Sequence, residues 1–403
     1  MGIRSALVSI INARRWVGGG RQVTHTRKAD GEVPIIFPYA FKSHNVLHCI
    51  HTCLFVSGRL LPSAVFLAWA AAAIYFLFVR CLIQGRIRNK LDVICDVPLE
   101  VTSNPLRMAY TGNLELDKAL CGIGVFYHTA MTPSYLPFFL EFMGAVTAIF
   151  VIPFAEASRD IHASSLGTGV PGAIGTLAQF FSMGLVMPLY YLAFIRTGAA
   201  DRKPGPVGGS KINQGNAEAL LFGLIIGCII PTACLVLLQD PVVTAIWQIF
   251  PVIMEIAQLA HRIIRPPSRL TASGYYTVQA TYALVLVGSA AIHIHYIWPL
   301  FDDIDALKQL FLSPFGPSDP AASPLLDGIL YFYKWDNALC VIPTFFLALW
   351  FTDDLFSCVV VIAWCVATTI VLGPGAAIAS ILMWREEKLN RPNNAVKVVE
   401  KQD

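Results

Sequence analysis

The stretch PSYLPFFLEFMGAVTAIFVIPFA, residues 133–155, decides how the chain is read. It is long enough to cross a bilayer as one helix, which takes about 20 apolar residues. One carboxylate, Glu141, sits inside it. The pattern returns in VVTAIWQIFPVIMEIAQLA (242–260), which holds Glu255, and in LLDGILYFYKWDNALCVIPTFFLALW (325–350), which holds Asp336. Glu156 closes the first run and is followed by Arg159. A carboxylate at bilayer depth is costly unless it is paired, protonated or turned toward a polar cavity. Function is therefore expected where these acids meet.

Composition supports this reading. Of 403 residues, 56% are hydrophobic and 14% charged, and mean hydropathy is +0.61. Soluble domains carry about 25% charged residues. The expected fold is all-α, a polytopic transmembrane bundle of about eight spans. Their expected positions are 61–83, 135–155, 175–196, 217–238, 242–262, 275–299, 328–350 and 355–384, with a shorter apolar piece at 119–132 as an interfacial helix, a re-entrant helix or a ninth span. Around this 61–385 transmembrane helical domain lie a polar, basic segment at 1–60 and a polar tail at 386–403. Residues 1–29 hold five Arg and one Lys and no acid, a composition shared by organellar presequences and disordered tails.

The loops at 84–118, 197–216 and 262–269 are basic, and the 300–327 stretch is acidic and Pro-rich. Eight spans put the three basic loops on one face, which the Lys/Arg bias makes cytosolic. The basic termini then fall on the other face, and this conflict leaves the orientation open. The ten cysteines lie mostly in apolar runs and read as buried thiols rather than a disulfide framework. Net charge is +3 with no basic tract of the nucleic-acid-binding kind. The bilayer is the partner the composition names, and it points to no protein partner.

Among the acids, Glu156 and Arg159 stand three apart and share a helix face if the helix continues that far. They read either as an anchoring ion pair or as a polar cluster in which Arg159 orients a substrate oxygen or its partner acid. Glu141 lies about 60° from Glu156 around an ideal helix. Asp336 stands in YFYKWDN, roughly 200° from Lys334, so the two cannot face one neighbour. It reads as a general acid among Tyr331, Tyr333 and Trp335, or as a helix-packing contact. Glu255 follows Pro251, which can kink its helix. HCIHTC (48–53) lacks a second ligand cluster, and FDDID (301–305) has the wrong spacing for a Mg²⁺–diphosphate motif. No Walker A, placed GxGxxG or GxSxG occurs, which removes support for nucleotide-driven transport and serine hydrolysis. No metal and no cofactor is expected.

The succession LPFFLEFMGAVTAIFVIPFAEASR, GTLAQFFSMGLVMPLYYLAF, IWQIFPVIMEIAQLAHRIIR and LYFYKWDNALCVIPTFFLALW resembles the fungal membrane-bound terpene cyclases of meroterpenoid pathways, of the ascochlorin, ascofuranone and macrophorin kind. The resemblance covers about 119–385. It implies a metal-independent isomerase or lyase of secondary metabolism in an endomembrane such as the endoplasmic reticulum. A buried acid would protonate a terminal epoxide or olefin of an apolar, farnesylated aromatic substrate, and carbocation cyclisation would follow. Asp336 or Glu156 is the expected donor, Arg159 the orienting group, and Glu141 and Glu255 are further candidates. The rival readings are a proton-coupled small-molecule transporter, in which these carboxylates are relay sites, and a non-catalytic protein in which they fix helix packing.

Overall fold

The computed structural model describes residues 60–159, 171–207, 209–312 and 321–391, all within one unit spanning 47–403. The described residues form helices and two isolated β-bridges, the all-α fold expected. In chain order these are α1 (Leu60–Ala73, continued by a π-helix, Ile74–Gln84), α2 (Ile87–Cys95), α3 (Leu114–Ala130) and α4 (Leu136–Ala157). Next come α5 (Pro171–Phe181), α6 (Met183–Arg196), α7 (Gln214–Leu224), α8 (Ile230–Leu238), α9 (Pro241–Trp247) and α10 (Phe250–Ile264). The last are α11 (Tyr275–Ile292), α12 (Ile304–Phe311), α13 (Leu325–Leu349), α14 (Leu355–Leu372) and α15 (Pro374–Asn390).

Helix α4 is the axis of the bundle. Its apolar side chains point in every direction, the pattern of a helix enclosed by others. In its central window 94% of residues are buried, against 17–33% in the other four helices long and apolar enough to span a membrane. Those four begin at Leu61, Gln214, Tyr275 and Leu355 and leave Val287, Phe356 and Val359 exposed, as acyl-chain contact requires. The pair α9 and α10, bent by 63°, is together long and apolar enough to cross a membrane, as a broken span or a re-entrant loop. Pro251, near the start of α10, follows that break.

The other expected spans take different forms. Residues 175–196 do not cross. Gly172 of α5 lies against Glu255, Gly175 against Pro251 and Phe150 deeper in the bundle, and Gln179 approaches Tyr127. Helix α6 then runs back, with Gly184 beside Asp336, Tyr191 on Thr344 and Phe194 on Phe351. The segment is a re-entrant hairpin with its apex at Ser182. The 355–384 stretch also doubles back, at Gly373 (φ +89°), into α14 and α15. Helix α13 is a single 25-residue helix carrying Lys334 and Asp336.

These two reversals settle which loops share a face. Lys90 binds the Ser323 carbonyl, and Trp298 binds that of Val371, so α2 and the starts of α13 and α15 lie at one end. At the opposite end Arg196 binds Ser63, Asn216 binds the Ser158 carbonyl, and Lys388 binds Asp353. The basic loops 197–216 and 262–269 therefore lie opposite 84–118, not beside it, because 175–196 returns to the side it left. Cys95 and Cys121 form a disulfide joining α2 to α3, against the expectation of thiols, while Cys81, Cys228, Cys340 and Cys365 are buried and free. Helix α15 carries the helical domain past 385 to Asn390, and Glu386 is buried within it. Residues 1–59, with the basic segment and HCIHTC, lie outside the described residues.

Candidate active site

Asp336 is held by the hairpin apex. Ser182 has φ +72° and ψ 145°, a conformation that costs an L-residue on the order of 1–3 kcal/mol and is kept only where surroundings enforce it. Its hydroxyl accepts from the Gly184 N–H (3.1 Å) and donates to Asp336 Oδ1 (2.6 Å), while the Gly184 N–H also reaches Oδ1 at 2.6 Å. A Cβ on residue 184 would stand 2.9 Å from Leu339 Cβ and 3.0 Å from Oδ1, so the apex needs glycine there. Asp336 is 6% exposed. Both bonds fall on Oδ1; no described residue donates to Oδ2, and no described cation pairs with the carboxylate.

One turn before it, Tyr333 enters a set of aromatic rings. Its ring centroid lies 6.0 Å from Tyr127, 6.1 Å from Phe139 and 5.8 Å from Phe142, all near edge-on. Tyr127 also meets Trp247 at 5.1 Å. Tyr127 and Tyr333 both lie within electrostatic reach of the Asp336 carboxylate. The wall beside Asp336 thus comes from α3, α4, α9 and α13. It does not include Trp335, which stacks on Phe76 at 3.7 Å, or Tyr331, which packs with Cys81 and Ile87. On one helix residues 331 and 335 share a face that residue 333 leaves. Lys334 turns outward to the Gln309 carbonyl.

Glu156 and Arg159 belong to a second cluster, at the far end of α4. Arg159 Nε donates to Glu156 Oε1 at 2.8 Å and Arg159 Nη1 to the Ser210 carbonyl at 2.9 Å. Arg159 Nη2 binds Glu386, and Arg385 Nη1 binds Glu156. Arg202 stands 3.8 Å from Glu156, and the Arg385 guanidinium lies 4.3 Å from the Phe351 ring centroid. Glu156, Arg159, Arg385 and Glu386 are each at most 4% exposed. The cluster ties the last turns of α4 and α15 together. In sequence the helical domain ends at 385 and 386–403 reads as tail, so nothing there marked Arg385 and Glu386 as partners.

Glu141 forms a third site. Its Oε1 lies 2.8 Å from His293 Nδ1, and His293 Nε2 lies 3.1 Å from the Ile370 carbonyl. A carbonyl only accepts, so Nε2 carries a proton. Nδ1 and Glu141 then share one further proton, as a carboxylic acid donating to imidazole or as an imidazolium donating to carboxylate. Gly373 leaves room for this pair, since a Cβ there would fall 2.6 Å from Glu141 Oε1. Glu255 is half-buried on α10, its carboxyl against Gly172.

The acids do not meet in one chamber. Asp336, Glu141 and Glu156 share no partner among the described residues. Glu141 lies about 200° round α4 from Phe139, which faces Tyr333, so it points away from the Asp336 side. Asp303 and Asp354 cap α12 and α14, and no group of three or more His, Cys, Asp and Glu residues that suits a metal occurs among the described residues.

The fold and its charged interior are those of an integral-membrane helix bundle by length and composition, enclosing an acid, Asp336, with no counter-ion among the described residues. The family model of the CtvD domain matches residues 62–389, and the chain belongs to that family, which is related to terpene cyclases. No curated protein and no solved structure matches the chain.

Proposed function

We propose that this protein is an integral-membrane terpene cyclase of fungal meroterpenoid biosynthesis, resident in the endoplasmic reticulum or another endomembrane, and that Asp336 is its proton donor. The observation that carries the reading is the Asp336 carboxyl, buried without a cation, bonded twice on Oδ1 and not at all on Oδ2 by the described residues. Two donors on one oxygen suit the carbonyl oxygen of a carboxylic acid and leave Oδ2 to carry the proton. The family supports a cyclase-type biosynthetic role.

The proposed reaction begins when Oδ2 gives its proton to the terminal epoxide oxygen, or olefin, of a farnesylated aromatic polyketide. The C–O bond breaks toward the more substituted carbon, and a neighbouring double bond attacks that carbon, forming the ring bond and moving the positive charge along the chain. Loss of a proton or capture by an internal hydroxyl ends the sequence, and that proton restores the acid, so the reaction is an isomerisation. The rings of Tyr127, Tyr333 and Trp247 supply π-faces to the passing charge, in a site kept dry. Glu156 is assigned to the ion cluster: among three guanidinium groups it serves as an anchoring carboxylate, and Arg159 as its partner.

The test is expression in microsomes with an epoxy-farnesyl orsellinate-type phenol and product analysis. Cyclised product of unchanged mass supports the reading. Uptake driven by a pH gradient, with no chemical change in the solute, favours a transporter instead.

A further inference from the structure

We infer that the end of the bundle carrying the Cys95–Cys121 disulfide faces an oxidising lumen, and that the hairpin bearing Ser182 is inserted from the cytosolic face. The inference does not depend on the cyclase reading, because it uses only which loops share an end.

Three features carry the assignment, against the basic residues Arg86, Arg88, Lys90 and Arg107 at the disulfide end. The disulfide joins the end of α2 to α3 at the end where Lys90 meets Ser323. Protein disulfides persist in the endoplasmic reticulum lumen and are rare in the reducing cytosol. The same end holds Asp302 and Asp303 ahead of α12 and Asp305 in its first turn. The opposite end carries Arg202, Lys203 and Lys211 after α6, and Arg262 in the last turn of α10 with Arg265 and Arg269 after it. Short basic loops stay cytosolic, where they also meet the anionic headgroups of that leaflet. The described chain begins and ends at this basic end, since Ser63 binds Arg196 and Lys388 binds Asp353. Once 175–196 is a hairpin, the basic loops 197–216 and 262–269 share one side with both ends of the described chain, while the basic residues of 84–118 stay at the disulfide end. Both arms of the hairpin open toward the basic end, so the apex that holds Asp336 is reached by a segment entering from the cytosol.

The experiment places one cysteine at each end of the full chain, Asp305→Cys and Arg269→Cys, both at exposed positions. Sealed microsomes, cytosolic side out, are treated with a membrane-impermeant maleimide, and added label is counted above the parent protein. Labelling of Arg269→Cys without detergent, with Asp305→Cys labelled only after permeabilisation, is the expected result. The reverse pattern, or equal labelling of both in sealed vesicles, overturns the assignment. A second measurement uses the absence of any Asn-x-Ser/Thr sequon in the native chain. Glu100→Asn creates one ending at Thr102, and Arg269→Asn creates one ending at Thr271. An endoglycosidase-sensitive mass shift for the first alone supports the orientation, and a shift for the second overturns it.

Discussion

The Ser182 hydroxyl and Asp336 Oδ1 are 2.6 Å apart across 154 residues of sequence, joining the apex of a re-entrant hairpin to the middle of the 25-residue helix α13. The same oxygen takes the Gly184 N–H. One carboxyl oxygen is thereby fixed by strained backbone, while no described residue donates to the other.

The close approach at the apex makes a steric prediction. Gly184→Ala forces its new methyl against Leu339 and Asp336, and is expected to cost about 1–3 kcal/mol and to lower product formation with it. Gly288→Ala, where a Cβ meets nothing within 4 Å, is the matched control and is expected to be neutral or to stabilise by up to about 1 kcal/mol. Thermal unfolding in detergent compares the two.

The ion cluster at the end of α4 predicts a large, non-additive loss. Arg385→Met leaves Glu156 with fewer cations in a buried site, and breaking such a pair costs about 3–5 kcal/mol. Adding Glu156→Gln removes the charge left behind, so the double variant is expected to lose less than the two singles combined. Unfolding midpoints of the three proteins measure the coupling.

At the third site, the proton count decides the outcome. Glu141→Gln keeps a donor toward His293 Nδ1 while Nε2 still donates to Ile370, so stability is expected to change little. His293→Ala removes the ring and leaves the Glu141 carboxyl buried without its partner, with an expected loss of about 1–3 kcal/mol. Equal losses for both variants would show that the shared proton has been misplaced.

The Cys95–Cys121 bridge closes a loop with a sequence separation of 26. Cys95→Ser is expected to lower stability by about 3 kcal/mol. The wild type should lose a similar amount in reductant, and the variant should be insensitive to it.

Much of this architecture was legible in the sequence. The run around Glu141 read as a span, and the chain builds its central helix from it. The opposed directions of Lys334 and Asp336 followed from 3.6 residues per turn, and the structure sends one to Gln309 and the other to Ser182. What failed depended on chain reversals. An apolar run of 175–196 has the length of a span, and composition does not report that Ser182 turns it back. Once that crossing is lost, every loop assignment after it changes side. The acids likewise looked like one group because periodicity places side chains around one helix but is silent on which helix packs opposite. His293 reads in sequence as a capping or interfacial residue, and Arg385 and Glu386 carry no mark, because their partners are 152, 229 and 227 residues away. An ionisable residue inside or just beyond an apolar run was the signal available for each.

The most direct test of the central claim compares Asp336→Asn with the wild type in turnover of the epoxy-farnesyl phenol, normalised to folded protein. The asparagine can still accept from Ser182 and Gly184 but has no acidic proton to give. Loss of a general acid predicts a fall in turnover of about 10²–10⁴-fold with an unfolding midpoint close to the wild type. Product formation by Asp336→Asn at the wild-type rate would contradict the account.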